Sequence, residues 1–243
     1  MTDAMNRVWQ REGAVGMLTL PTSGNYLYEP DFMPFDELRD YLGEPGLKGV
    51  IVRGSGRHFS AGADLQRLRQ LANDEALLYR KMTAGKKLLE LIHNTPLPIV
   101  AEISGACFGG GLEIALACHI RICSETALFA FPEAGLGILP GLGGTFSLPK
   151  VIGEGKAAEM ILTGDVINAE KARELKLIDH IVPARQLHEF TMSYLGKLTG
   201  DKDAEVIRAV MQSIINARSM DTDGAMESET RLFCSLAARN MND

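Results

Sequence analysis

The run PIVAEISGACFGGGLEIALACHIRI, residues 98–122, carries a strand, a glycine triplet, a helix and a second strand in one uninterrupted stretch. Pro96 and Pro98 close the helical region before it, and Ile99-Val100-Ala101 reads as a buried strand. Gly109, Gly110 and Gly111 then open a helix through residues 112–118, and residues 119–124 and 127–131 read as further strands. Apolar strands alternating with helices imply strands joined by crossover connections, so the fold class is α/β.

Outward from this stretch the pattern continues. On the amino-terminal side, residues 14–20 and 50–52 read as strands, with a helical stretch near residues 34–42 between them. Residues 64–94 carry apolar side chains at helical spacing: Leu65, Leu68, Leu71, Leu77, Leu78, Met82, Leu88, Leu89 and Ile92. Beyond Lys156 the spacing becomes almost wholly helical, over residues 156–163, 169–175, 184–198, 202–218 and 222–238. The chain therefore divides into an α/β core over residues 1–155 and a helical region over residues 156–243. No repeat, low-complexity segment or linker separates them, so they read as one continuous unit.

Composition narrows the partners. Of 243 residues, 46% are hydrophobic and 23% charged, the balance of a globular protein, and the net charge of −6 disfavours nucleic acid and anionic membranes. Residues 1–10 are polar, without an apolar secretory core, and no apolar run approaches the ~18 residues of a membrane span. Cys107, Cys118, Cys123 and Cys234 show no CxxC spacing, and three lie in apolar stretches, as reduced buried thiols do. A reducing cytoplasm fits this usage.

Three segments join glycine to acid. His58-Phe59-Ser60-Ala61-Gly62-Ala63-Asp64 lies between a strand and a helix; its small residues permit close approach, and Asp64 can cap the helix that follows. Amides at such a junction are free to meet an anionic oxygen, although by itself the pattern is that of a tight turn. His58 could touch a phosphate or be a solvated turn residue. Leu65, Leu68 and Leu71 could line an acyl pocket or pack as a helix face. In the second segment, Gly109, Gly110 and Gly111 precede a helix whose first turn holds Glu113 on an otherwise apolar surface. A favourable charge at a helix start is the plain alternative. In the third, Phe131-Pro132-Glu133 is followed by Leu136, Ile138 and Gly141; desolvation there favours a protonated Glu133, which suits acid–base work. An exposed glutamate at a strand end is the plain reading of that residue. Together, glycine-flanked amides can hold a thioester oxygen as charge develops on it, and two carboxylates can manage a water and a proton.

The runs HFSAGADL, PIVAEISGACFGGGLEIALACHIRI and FAFPEAGLGILPGLGGT, with EMILTG and residues 169–183 after them, resemble the crotonase (enoyl-CoA hydratase/isomerase) superfamily over roughly residues 12–238. The resemblance implies a crotonase-like spiral core of repeated ββα units followed by a helical trimerisation region, in a homotrimer or dimer of trimers. It places the oxyanion hole at the amides of Ala63 and Gly110, the water-activating base at Glu113 and the C2 acid–base at Glu133. Ser60, Ala61, Asp64 and Leu65 would contact the substrate on one side. Gly109, Pro132, Leu136 and Gly141 would do so on the other, with Gly141 near the bound water. It further implies an acyl-CoA or acyl-carrier-protein thioester, no metal, and no cofactor beyond the thioester carrier itself.

Retention of Glu113 beside Glu133 favours a lyase that adds water over an isomerase, and no aspartate stands near residues 139–141 for dienoyl-isomerase or dehalogenase chemistry. A dehydratase, isomerase or decarboxylase on the same scaffold, or a non-catalytic binding module, are the rival readings. The chain departs from the family in three places. Its loop over residues 20–26 lacks the usual coenzyme A-binding cations, leaving Arg57, Arg67 or Lys150 as candidates. His119 and Lys176 replace a usual aspartate and a usual glycine.

Overall fold

The computed structural model describes residues 8–241; residues 1–7 of the polar start lie outside them, as do 242 and 243. Strands β1 (Trp9–Glu12) and β2 (Val15–Thr19) pair antiparallel, and a short hairpin of β3 (Thr22–Ser23) and β4 (Tyr26–Leu27) leads to α1 (Phe35–Leu42). Next come β5 (Gly49–Arg53), α2 (Leu65–Leu71), α3 (Glu75–His93), β6 (Ile99–Ile103), β7 (Ala106–Phe108), α4 (Gly110–Ala117), β8 (Ile120–Ser124) and β9 (Leu128–Ala130). The remainder comprises α5 (Gly144–Ile152), α6 (Glu154–Thr163), β10 (Ile167–Asn168), α7 (Ala169–Glu174), β11 (His180–Val182), α8 (Leu187–Thr199), α9 (Ala204–Ser219) and α10 (Thr222–Asn240).

Six strands form one sheet in the order β1-β2-β5-β6-β8-β11, parallel from β2 onward. A sheet covered on both faces calls for near-continuous apolar residues, and its central strands supply them apart from a few polar positions such as Glu102 and Arg121. Val50 and Val52 of β5 enter the main core while Ile51 enters a second; Ile99, Ala101 and Ile103 of β6 likewise oppose Val100. The second core is closed by Leu187 and Leu195 of α8, and α1, α3 and α4 cover the main one.

Each turn of the chain gives a strand to this sheet and then a second strand to a smaller layer. Ser60 follows β5, β7 follows β6, and β9 follows β8. Ser60 bridges Cys107, and Cys107 pairs with Phe129, both in parallel, so successive turns stack in register. This is the repeated ββα spiral that the resemblance implies. It is a repeat of backbone path, not of residues, which is why the amino-acid sequence shows none.

Four boundaries differ from the sequence reading. The helical spacing over residues 64–94 breaks where α2 ends and Asp74 caps α3 by accepting from the Leu77 amide at 2.9 Å. Beyond Lys156 the chain is not wholly helical: β10 pairs with β9, and β11 returns to the edge of the main sheet beside β8. Their lengths, two and three residues, are too short to show a period. Trp9–Glu12, polar in sequence, forms the antiparallel edge strand. The glycine-rich stretch after Leu142 opens into α5. Among the described residues no helix is long and apolar enough to cross a membrane. Cys107, Cys118 and Cys123 are unpaired and buried.

His119, at the turn from α4 into β8, uses both ring nitrogens. Nδ1 accepts from the Ile99 amide at 3.1 Å, and Nε2 lies 3.2 Å from the His93 carbonyl, to which it donates as the neutral tautomer. Arg218 of α9 reaches the same carbonyl and the Asn94 side chain. Burial pushes the His119 pKa down from 6.5 to about 4, with the Arg218 charge adding to it. Folding thus favours the neutral ring: its stabilisation is complete above pH 6.5 and is lost as pH falls toward 4, by up to about 3 kcal/mol. Replacing His119 by Asn, which does not titrate, is expected to shrink the stability difference between neutral pH and pH 4 in denaturant melts. An unchanged difference would exclude His119 as the source.

Candidate active site

Parallel pairing brings the first two glycine segments together. Ser60 donates its amide to Ala106 O at 3.1 Å and accepts from Phe108 N at 3.0 Å, opposite Cys107. Two residues further on, a Cβ on Gly62 would stand 3.3 Å from Phe108 O, so the segment leading to Ala63 still runs against the end of β7. On its other side, Leu27 donates to Gly62 O at 2.9 Å and accepts from Asp64 N at 2.8 Å. Because Gly62 O and Asp64 N both point at Leu27, the Ala63 N–H between them points away from it. Neither the Ala63 nor the Gly110 amide donates a hydrogen bond among the described residues. Asp64 caps α2 by accepting from Arg67 N at 3.0 Å, as its place in the sequence predicts.

Glycine is required where the carboxylates arrive. Gly109 caps α4 at φ 48°, and a Cβ there would stand 2.5 Å from Glu133 Oε1. A Cβ on Gly110 would lie 4.0 Å from Glu113 Oε2, so the two glutamates approach neighbouring glycines. Gly111 leaves room for Ser60, whose Cβ would otherwise be 2.7 Å from the added carbon. Ser60 itself is fully buried, and its hydroxyl holds the Gly62 amide at 3.2 Å. The amide of Ala61 donates to Asn25 O at 2.8 Å.

The two carboxylates are set differently. Glu113 is 3% exposed, and its Oε1 accepts from both Leu142 N and Gly144 N at 2.7 Å. Burial lifts its pKa to about 7; the charge of Glu133 adds to the rise, while the two amides and Lys86 oppose it. Glu133 begins the 3-10 turn Glu133–Leu136, after Phe131, which is fully buried. Burial raises its pKa as well, and its Oε2 is buried with no hydrogen-bond partner among the described residues. Two neighbouring carboxyls whose pKa values are both raised by burial are equipped to exchange protons with a bound molecule.

Around them, Leu65 and Leu136 are exposed at 40% and 49%, so the Leu65–Leu71 stripe is not uniformly a packed face; only Leu71 is buried. Pro132 is exposed, and Gly141 is packed against the Met82 methyl of α3. His58 is not a solvated turn residue: its Nδ1 accepts from Ala106 N at 3.0 Å, bracing the loop against β7. Of the three candidate cations, Arg67 is bound by Glu29, Lys150 stands 3.4 Å over the Phe146 ring, and Arg57 is exposed. The amides of Leu142 and Gly144 escape sequence reading, because a backbone donor leaves no trace in residue type.

The geometry agrees with known proteins. The family model described as enoyl-CoA hydratase/isomerase matches residues 35–242. A probable enoyl-CoA hydratase of Bacillus subtilis is 35% identical over 194 residues, 78% of this chain and 73% of the relative. A crotonyl-CoA hydratase of Syntrophomonas wolfei is 34% identical over 191 residues, 78% and 72% of the two chains. The crystal structure of an enoyl-CoA hydratase from Bacillus anthracis superposes with a TM-score of 0.81 at 28% identity, covering 93% of this chain and 90% of the other. With this match across most of its length and the spiral core described above, the chain belongs to the enoyl-CoA hydratase/isomerase family.

Proposed function

We propose that the protein is an enoyl-CoA hydratase, a hydro-lyase that adds water reversibly to the double bond of a 2-enoyl thioester. The observation that carries this reading is the meeting of buried Glu113 and half-buried Glu133 at neighbouring glycines at the start of α4, where the Gly110 amide, like that of Ala63, donates no hydrogen bond among the described residues. Isomerisation needs only one acid–base group; adding water needs a base for the water and an acid for the carbon. The names of the Bacillus subtilis and Syntrophomonas wolfei relatives support the same chemistry.

In this reading the amides of Ala63 and Gly110 hold the thioester carbonyl oxygen as it gains enolate charge. Glu113, ionised, takes a proton from water while the hydroxide forms its bond to C3. Glu133, protonated, gives its proton to C2, and the electrons of the double bond close the new C–H bond. One proton thus enters the pair from water as another leaves it, and dehydration is the reverse. Gly141 and Leu142 border the water, Ser60 shapes the loop from within the core, and Leu65, Pro132 and Leu136 form the rim. No cofactor and no metal enters any step.

The same reading extends to assembly and setting. Val210 and Ile214 of α9, with Met226 and Phe233 of α10, are each more than half exposed, a large apolar face for a helical pair in water. A homotrimer or dimer of trimers would cover it. Acyl-CoA is the thioester we assign, in cytoplasmic fatty acid metabolism. An acyl-carrier protein is the second source, favoured by the absence of any cation in the β3–β4 hairpin and by the pairing of Arg67 with Glu29.

Glu113→Gln and Glu133→Gln are each expected to lower hydration of crotonyl-CoA about 10²–10⁴-fold, read as loss of enoyl-thioester absorbance, without changing the oligomeric state. Near-normal rates in both variants would remove the glutamates from the reaction. The pH profile of hydration is expected to be bell-shaped with one limb near pH 7, where burial places Glu113. Rates fall on the acid side because the base must be ionised, and on the alkaline side because the acid must hold a proton. A flat profile from about pH 5 to about pH 9 would contradict the paired roles.

A further inference from the structure

One group of charges lies outside the chemistry just described and joins residues 28–31 to α2 and α3. Glu29 accepts from Arg67 of α2, through Nε at 3.0 Å and again through the guanidinium terminus, and is also bound by Lys81 of α3. Lys81 further binds Asp31 at 3.0 Å, and Arg67 stands 5.3 Å over the Tyr28 ring. The four charged side chains are only 19–28% exposed, which sets them apart from the surface pairs elsewhere in the chain.

Residues 27–31 form a strap with two anchorages. At one end Leu27 brackets Ala63 by hydrogen bonds to Gly62 and Asp64. At the other, the Pro30 carbonyl sits so close to α3 that a Cβ on Gly85 would come within 2.5 Å of it, and within 2.8 Å of Leu142 Cδ2. Leu142 is the residue whose amide holds Glu113, and its neighbour Gly141 packs on Met82 of the same helix. Helix α3 therefore backs the loop that holds Glu113, and Glu29 ties α3 and α2 to the strap that brackets Ala63.

We propose that Glu29 is a positioning residue that, through Arg67 and Lys81, fixes α2 and α3 on the strap and so sets the Ala63 amide and the Glu113 carboxylate relative to each other. This rests on the hydratase reading for its kinetic consequence, but not for its structural one. The charged groups that face Glu113 are Glu133 and Lys86, the latter also on α3, so a displaced helix changes both the water around Glu113 and the charge beside it.

The test pairs kinetics with a titration that needs no turnover. In Glu29→Gln and Lys81→Met, kcat for crotonyl-CoA hydration is expected to fall about tenfold or more with KM changed far less. The Glu113 carboxyl pKa, followed by 13C NMR and assigned by its absence in Glu113→Gln, is expected to move down from about 7 as water enters. Lys81→Arg, which keeps the charge, is expected to recover most of both. A lower melting temperature with kcat and the Glu113 titration unchanged would make the cluster merely structural and overturn the proposal. Should the wild type hydrate no 2-enoyl thioester, the function above fails, and the titration alone decides: a downward shift in Glu29→Gln upholds the positioning role, and none refutes it.

Discussion

A carboxylate withdrawn from water must be hydrogen-bonded or hold a proton. Glu113 meets that condition with the amides of Leu142 and Gly144, both ending on one oxygen. Much of the surrounding architecture can be traced to this pair of bonds. The loop that supplies them must run back across the start of α4, α5 must begin at Gly144, and α3 must present Met82 and Gly85 for the loop to rest on. The other carboxyl oxygen stays free of backbone donors. Glu113 is thereby fixed in place yet able to change its protonation state.

Glu133 is the counterpart, half-buried and without that compensation. Its Oε2 has no partner among the described residues, and its Oε1 lies where any side chain on Gly109 would stand. An unsatisfied buried acceptor is a cost that an ordinary fold removes. Here it is sustained by the rigidity of the spiral, in which Ser60, Cys107 and Phe129 align three turns of chain and hold Gly109 to Ala130 O at 3.0 Å. The stability of the core and the readiness of the site are coupled through the same strands.

Strong local patterns made the central layers legible in the sequence. Ile99-Val100-Ala101 after Pro98 reads as a strand and the glycine triplet before Leu112 as a helix start, and the structure has both. Asp64 announced its own cap. The short strands β10 and β11 were not legible, because two or three residues carry no period and are held by partners distant in sequence. His58 was ambiguous for a related reason: its role depends on the Ala106 amide, 48 residues away. Glu113 and Glu133 stood out in the sequence as carboxylates in apolar company, and the structure brings both to the start of α4. The strap over residues 27–31 did not stand out, since its meaning lies in contacts with α2 and α3 that no spacing encodes.

The donors that frame the site, the N–H groups of Ala63, Gly110, Leu142 and Gly144, all belong to the main chain. At Ala63 and Leu142 a substitution other than proline alters a side chain and leaves the donor in place, whereas a single change at codon 113 or 133 can erase a carboxylate. Drift in the gene would therefore pass these main-chain donors from one generation to the next with the fold itself. The two carboxylates are inherited separately, each written in a single codon.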